Sequence, residues 1–217
     1  MGKYSDHLMN TEITTPEKEI IVFGEEYISK EPKKYIIKYK GSQIRIFDDK
    51  LEECFKAKKK LTGFGIYTLE EDNKRLALYK EGFSGMKIYP GKDKENEIAK
   101  ISSKLTKTNL HKYGIEVKNK TTGKLEVLTI NSSNTFRTIG VFDGKEKEGA
   151  SMICRIHSIA VKHSAVKDYE YLVEVPPNVD ILFMIILCLH ISYVREDDEF
   201  DVKEFRSRQK LIKRLQN

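Results

Sequence analysis

The chain has 217 residues, of which 39% are hydrophobic and 33% charged, with no Trp, three Cys and a formal net charge of +6. That length supports one large or two small globular domains with a real core. Cys54, Cys154 and Cys188 are odd in number and far apart, which excludes a disulfide scaffold and a closed cysteine metal site and makes a reducing, cytoplasmic compartment the default.

Residues 1–18 are polar, contain Pro16 and lack the apolar run of a secretory leader, so they read as a flexible N-terminal tail. From residue 19 onward, short β-branched and aromatic runs alternate with Gly, Asn, Asp and Lys. The predicted strands are Ile20–Phe23, Tyr35–Tyr39, Gln43–Phe47, Phe64–Leu69, Leu76–Lys80, Met86–Tyr89 and Glu97–Ile101. The series continues with Tyr113–Val117, Leu125–Ile130, Thr135–Phe142, Met152–His157 and Tyr169–Val175, and Phe55–Lys60 is a weaker strand signal. Tyr113, Ile115 and Val117, like Tyr169, Tyr171, Val173 and Val175, repeat at period two, which gives each strand one wet and one dry face. Turn chemistry at Lys40-Gly41-Ser42, Pro90-Gly91, Lys120–Gly123 and Asp143-Gly144 joins them into an antiparallel meander.

Residues 179–194 differ from everything before them. Ile181 to Leu189 is an unbroken apolar run after Pro176-Pro177, with Asn178 as expected N-cap and Asp180 at the positive end of the helix dipole. As a helix it is apolar on every side and must be enclosed all round. It falls short of the ~20 apolar residues of a membrane span, and Asp180, His190 and Ser192 interrupt it. A protein-enclosed helix, a membrane span and a buried strand remain the readings of this run, and its length favours the first. A barrel of about twelve strands leaves a lumen that side chains cannot fill, and a helix ~10–12 Å across fills it. The predicted fold class is therefore mainly β with one buried helix: an antiparallel closed barrel of about twelve strands around a central hydrophobic helix.

Beyond Arg195, the Glu196–Glu199 run opposes a continuing helix dipole, so an acidic linker is expected there. Asp201, Glu204 and the Phe200/Phe205 pair have the spacing of a capping box with a staple and start a short amphipathic helix. Residues 201–217 hold six cations, Lys203, Arg206, Arg208, Lys210, Lys213 and Arg214, against two acids. Charge concentrated in this way fits an anionic partner such as a lipid surface. Packing of this helix on the barrel exterior is the competing expectation.

The segment YEYLVEVPPNVDILFMIILCLHISYV, Tyr169–Val194, resembles the closing motif of the LURP-one-related family: a strand ending in V-x-V, a proline or glycine turn, N/G-V-D and an apolar helix. GFSGMKIYPGKDKENEIAKISSK resembles that family's paired strands, and FDGKEKEGASMICRI its later hairpin. The resemblance covers about residues 19–196. It implies membership of the tubby C-terminal superfamily, with the phospholipid scramblases, and a twelve-stranded barrel skewered by its C-terminal helix. The tubby proteins' own C-terminal signature is not evident. The domain organisation that follows is a flexible tail at 1–18, a tubby-like barrel at 19–196 with central helix 179–194, and an acidic linker with basic helix at 197–217.

Searching for chemistry yields little. Gly63-Phe64-Gly65 is half a phosphate loop without its helix, and Gly82-Phe83-Ser84-Gly85 lacks nucleophile-elbow spacing. His157 and His163 are misspaced for two ligands on one element. His190 is expected to be a neutral buried histidine hydrogen-bonded to the barrel wall, and Cys188 a packing residue. Asp168, Glu170, Glu174 and Asp180 occupy the place of the scramblases' acidic stretch, but lack the spacing of a calcium loop and read as exposed outward acids. Lys56 and Lys58–Lys60 read as a charge-protected strand edge or turn. No catalytic residue, metal, cofactor or small-molecule substrate is assigned. The function expected is non-enzymatic binding of anionic membrane lipid, phosphoinositide-like, by an adaptor or regulator that lies in the cytoplasm and peripherally at a membrane. The alternatives are a protein-interaction or transcription-associated module and a scramblase-like membrane protein, while nucleic acid is disfavoured because the aromatics follow core periods.

Overall fold

Twelve antiparallel strands close on themselves in a computed structural model that describes residues 3–40, 43–60, 66–72, 74–82, 85–92, 95–105, 110–133, 136–162 and 168–192. In chain order these are β1 (Lys33–Lys40), β2 (Gln43–Phe47), β3 (Glu53–Lys60), β4 (Ile66–Glu71), β5 (Lys74–Gly82) and β6 (Gly85–Pro90). They continue as β7 (Ala99–Leu105), β8 (Leu110–Lys118), β9 (Leu125–Ser133), β10 (Thr138–Phe142), β11 (Met152–Lys162) and β12 (Asp168–Val175). Each strand pairs with its neighbours in sequence, and β12 closes the ring against β1 from Lys33↔Val175 to Lys38↔Glu170. Closure leaves the sheet without a free side strand.

The period-two signal decides which side chains face in. On β2, Ile44 and Ile46 are buried while Gln43 and Arg45 stand in solvent. Tyr113, Ile115 and Val117 of β8 and Tyr171, Val173 and Val175 of β12 point inward in the same way. Their inner faces meet helix α2 (residues 181–192), whose side chains are all buried from Ile181 through Ser192. An all-round apolar helix and a lumen too wide for side chains thus fill one another. The two polar residues late in α2 are accommodated differently. Tyr39 Oη lies 2.5 Å from Ser192 Oγ, which in turn donates to the Leu189 carbonyl at 2.8 Å.

Several local expectations change. Residues 3–18 include helix α1 (Lys3–Asn10) and do not form a loose tail. Leu8 is fully buried against Phe142 and Met152, and Thr14 N donates to Met152 O at 2.8 Å. The first turn of α1 is too polar to announce this, because its apolar contact rests on Leu8 with Tyr4 beside it. Ile20–Phe23 is not a strand: Ile20 makes an isolated parallel bridge to Val179, and the following amides turn to a carboxylate. The weak Phe55–Lys60 signal, by contrast, belongs to the full strand β3. It is paired on both sides, so Lys56 and Lys58 line an outer wall and are not at an edge. The charges there are matched: Lys56 Nζ is 3.1 Å from Glu53 and Lys58 Nζ 3.1 Å from Glu70.

Asn178 is not the N-cap of α2. It has φ 67° and turns the chain, with its carbonyl accepting from Ile20 N at 2.8 Å. Asp180 is the cap, since its Oδ1 accepts from Phe183 N at 3.0 Å and its carbonyl from Met184 N at 3.2 Å.

Candidate functional site

Three places carry polar chemistry that the meander alone does not explain. The first is the end of the barrel where α2 enters. Asp180 is fully buried, which corrects its reading as an exposed acid. Its Oδ2 accepts from Val22 N at 3.0 Å and Phe23 N at 2.7 Å, so one carboxylate ties the segment before β1 to the helix start. Burial pushes its pKa up to about 6, against the pull of the Phe23, Phe183, Val22 and Gly24 amides. Asn119 locks the same end: Oδ1 accepts from Ile21 N and Thr121 N at 3.1 Å each, and Nδ2 donates to Glu19 O at 2.9 Å. The Asp180 carboxylate and the Asn119 amide are both engaged with backbone, and Asn119 Nδ2 also with Glu126, which makes this a structural seal.

The second is the seat of α1 on the outer wall. One outward row crosses six strands by direct register: Lys112, Asn131, Gly140, Arg155, Glu174 and Lys34. Arg155 donates from Nη1 to Glu174 at 3.2 Å, from Nε to the Leu8 carbonyl at 3.2 Å, and from Nη2 to the Thr11 carbonyl. A cation thereby meets the negative end of the α1 dipole. At the other side of the helix Glu146 gathers Tyr4 Oη at 2.6 Å, His7 Nε2 at 3.0 Å and Asn131 Nδ2 at 2.5 Å. Burial and the Glu146 carboxylate both push the Tyr4 phenol up. Glu174 is covered and salt-bridged, with Lys34 also at 3.2 Å, where a freely exposed acid was expected. Glu170 stands 3.9 Å from Lys38 on the outer wall. His157 is half-buried with Nδ1 3.9 Å from Glu174, and burial pushes its pKa down.

The third is a cationic outer face. Lys80, Lys87 and Lys100 stand directly opposite one another on β5, β6 and β7. Glu97 pairs with Lys87 at 2.7 Å; Lys80 and Lys100 have no acid within 4 Å among the described residues. Like charges opposed across strands are unfavourable. No period in the sequence announces this row, because it depends on register between strands.

The predicted lipid-binding residues Lys203, Arg206, Arg208, Lys210, Lys213 and Arg214 lie outside the described residues, as do Glu196–Glu199, His163 and Gly63-Phe64-Gly65. His190 is buried as expected, but neither ring nitrogen has a hydrogen-bond partner among the described residues. Its ring stands edge-on to Tyr113 at 5.7 Å, and burial pushes its pKa down to about 4. Cys188 is core, and burial raises its thiol well above the ordinary range. Half-buried Cys54 donates to Ile46 O at 3.4 Å, with its pKa pushed up to about 11 by burial. It lines a shallow polar pocket of about 40 Å³ with Glu53, Glu70, Glu71 and Asp72. That is far below the ~300 Å³ at which small-molecule sites begin. Among the described residues, no group of three or more His, Cys, Asp or Glu is placed to hold a metal, and no helix is long and apolar enough to cross a membrane.

A twelve-stranded antiparallel barrel closed around its own helix is the tubby-like architecture, and the comparisons agree with it. The X-ray structure of a protein from Arabidopsis thaliana superposes with a TM-score of 0.59 over 81% of this chain and 98% of that one, at 19% identity, a likeness of fold. No curated protein matches the chain. A family model described as LURP-one-related matches residues 32–192, from the start of the barrel through the end of α2. The chain belongs to the LURP-one-related family.

Proposed function

We propose that this protein is a non-enzymatic adaptor or regulator that binds anionic membrane lipid, phosphoinositide-like in its charge, from the cytoplasmic side. The observation that carries this reading is the opposed row Lys80, Lys87 and Lys100 on the outer wall. Three cations aligned against their mutual repulsion are relieved by an anionic surface laid across them. The six cations at residues 203–214 add to the same charge. Since α2 is spent inside the barrel, the reading is of a peripheral protein whose outer wall meets headgroups.

Liposome flotation tests it. Recovery with vesicles containing phosphatidylserine or a phosphoinositide should exceed recovery with phosphatidylcholine alone, and should fall steeply with salt. Equal and negligible recovery in all of them would end the proposal.

The seat of α1 favours a second reading, a protein-interaction module, because it shows that this wall accepts a short helix between two polar clasps. A pull-down that survives high salt supports that reading over lipid attraction.

A further inference from the structure

Among the described residues, four large aliphatic side chains stand exposed: Leu51 at 63%, Leu125 at 66%, Val127 at 52% and Ile159 at 44%. Leu125 and Val127 are two apart on β9 and so project from the same outer face. Further along β9 the outward positions are covered, Thr129 by its bond to Gly144 O at 2.6 Å and Asn131 by Glu146. β10 pairs only with Thr129 to Ser132, so nothing of that strand shelters the two aliphatics.

Register places them at the border of the cationic face. Val127 stands opposite Glu116, which stands opposite Lys100, followed by Lys87 and Lys80. Leu125 stands opposite exposed Lys118, and residues 118–125 contain no acid; of their cations Lys118 and Lys124 are exposed, while Lys120 Nζ donates to the Phe23 carbonyl. Glu126 is turned away, held by Asn119 Nδ2 at 2.9 Å and Thr122 Oγ1 at 2.7 Å. In this register Glu116 stands opposite Lys100, and Glu97 is paired with Lys87. The hairpin is also stiff: Asn119 N and Lys124 O are 3.0 Å apart, and Gly123 turns it at φ 67°. Lys120 N is anchored to Ile21 O at 2.8 Å. An aliphatic pair on a preorganised cationic edge suits an anionic bilayer: hydrocarbon enters the interface while ammonium groups stay with phosphates.

We infer that the β8–β9 hairpin is the membrane-contacting edge of this protein, with Leu125 and Val127 entering the bilayer interface and the Lys118 and Lys80–Lys87–Lys100 face lying on anionic headgroups. This rests on the lipid-binding reading above and assigns it a place on the barrel.

The chain has no Trp, so single tryptophans report on it cleanly. Full-length Leu125→Trp and Val127→Trp proteins should shift their emission to the blue with phosphatidylserine-containing vesicles and be quenched by brominated acyl chains. Leu51→Trp, in the β2–β3 turn, should do neither, and phosphatidylcholine vesicles should move none of them. The Leu125→Gln/Val127→Gln protein should lose about tenfold or more in vesicle partitioning while melting within a few degrees of wild type, since both side chains are more than half exposed and no charge is placed opposite Glu116. If wild type floats but the tryptophans stay unshifted and the double variant partitions normally, the hairpin assignment is wrong and the lipid reading stands. Equal shifts at all three positions mean adventitious adsorption and overturn the assignment. Absence of any vesicle binding by wild type overturns both.

Discussion

Asp180 Oδ2 and the backbone amide of Phe23 meet at 2.7 Å across 157 residues of sequence. The pair joins the chain entering the barrel to the helix that fills it, in a place from which water is shut out. Because the same carboxylate also caps α2 through Phe183, its removal orphans three amides at once, two of them buried and that of Phe23 partly so.

Asp180→Ala should therefore cost about 2–4 kcal/mol, more than an exposed cap, because a lost cap adds to buried donors left unpaired. Urea denaturation measures it. A loss under about 1 kcal/mol would contradict the burial of this knot.

Asp180 and His190 oppose one another in acid. The folded pKa of Asp180 is raised from 3.8 to about 6, so between those values the native state holds a proton that the unfolded chain has lost, and stability falls as pH rises. The folded pKa of His190 is lowered from 6.5 to about 4, so between those values the unfolded chain holds the extra proton, and stability rises with pH. Asp143 is exposed, yet desolvation by its surroundings raises its pKa, so it acts in the first sense, and His157, lowered by burial, acts in the second. Wild type should thus show a shallow profile from about pH 4 to 6. Asp180→Asn should gain a rising slope there and His190→Phe a falling one, read as melting temperature against pH. Flat profiles in both variants would refute the assignment.

Gly140 is the floor of the α1 seat. A Cβ there would lie 2.8 Å from Phe142 Cε2, 3.0 Å from Leu8 Cδ2 and 3.0 Å from Met152 Sδ. Gly140→Ala should lever Leu8 out, at a cost of about 1–3 kcal/mol. Hydrogen exchange should speed up over residues 3–14 while the amides of β1 and β12 stay protected. Unchanged exchange over 3–14 would mean the seat yields without losing its helix.

Ile185 is fully buried at mid-helix in α2. Ile185→Asp should abolish folding, since an unpaired carboxylate would be sealed where no partner or water reaches it. Cooperative unfolding near the wild-type temperature would count against an enclosed helix.

Much of the fold was legible because its signals are local. Alternation along Tyr113–Val117 and Tyr171–Val175 names the inner face of a strand from its own residues, and the apolar run at 181–189 names a helix that needs a sheath. The site was less legible, for two reasons. Polar contacts in the seat of α1 join residues more than a hundred positions apart, as between Tyr4 and Glu146, and α1 itself carries too little hydrophobicity to be noticed. The clustered charge visible in the sequence at 203–214 lies outside the described residues, whereas the opposed row of Lys80, Lys87 and Lys100 looks like three separate solvated lysines until the strands are laid side by side.

Composition and periodicity thus pointed to an antiparallel barrel around a buried helix, since side-chain alternation and all-round apolarity are properties of consecutive residues, and the pairing of β12 with β1 closed it. Which acid is buried, which helix is clasped to the wall and which cations face one another came only with the tertiary structure. Those depend on register and on packing between distant segments, and a strand's own sequence specifies its faces without specifying what stands opposite them.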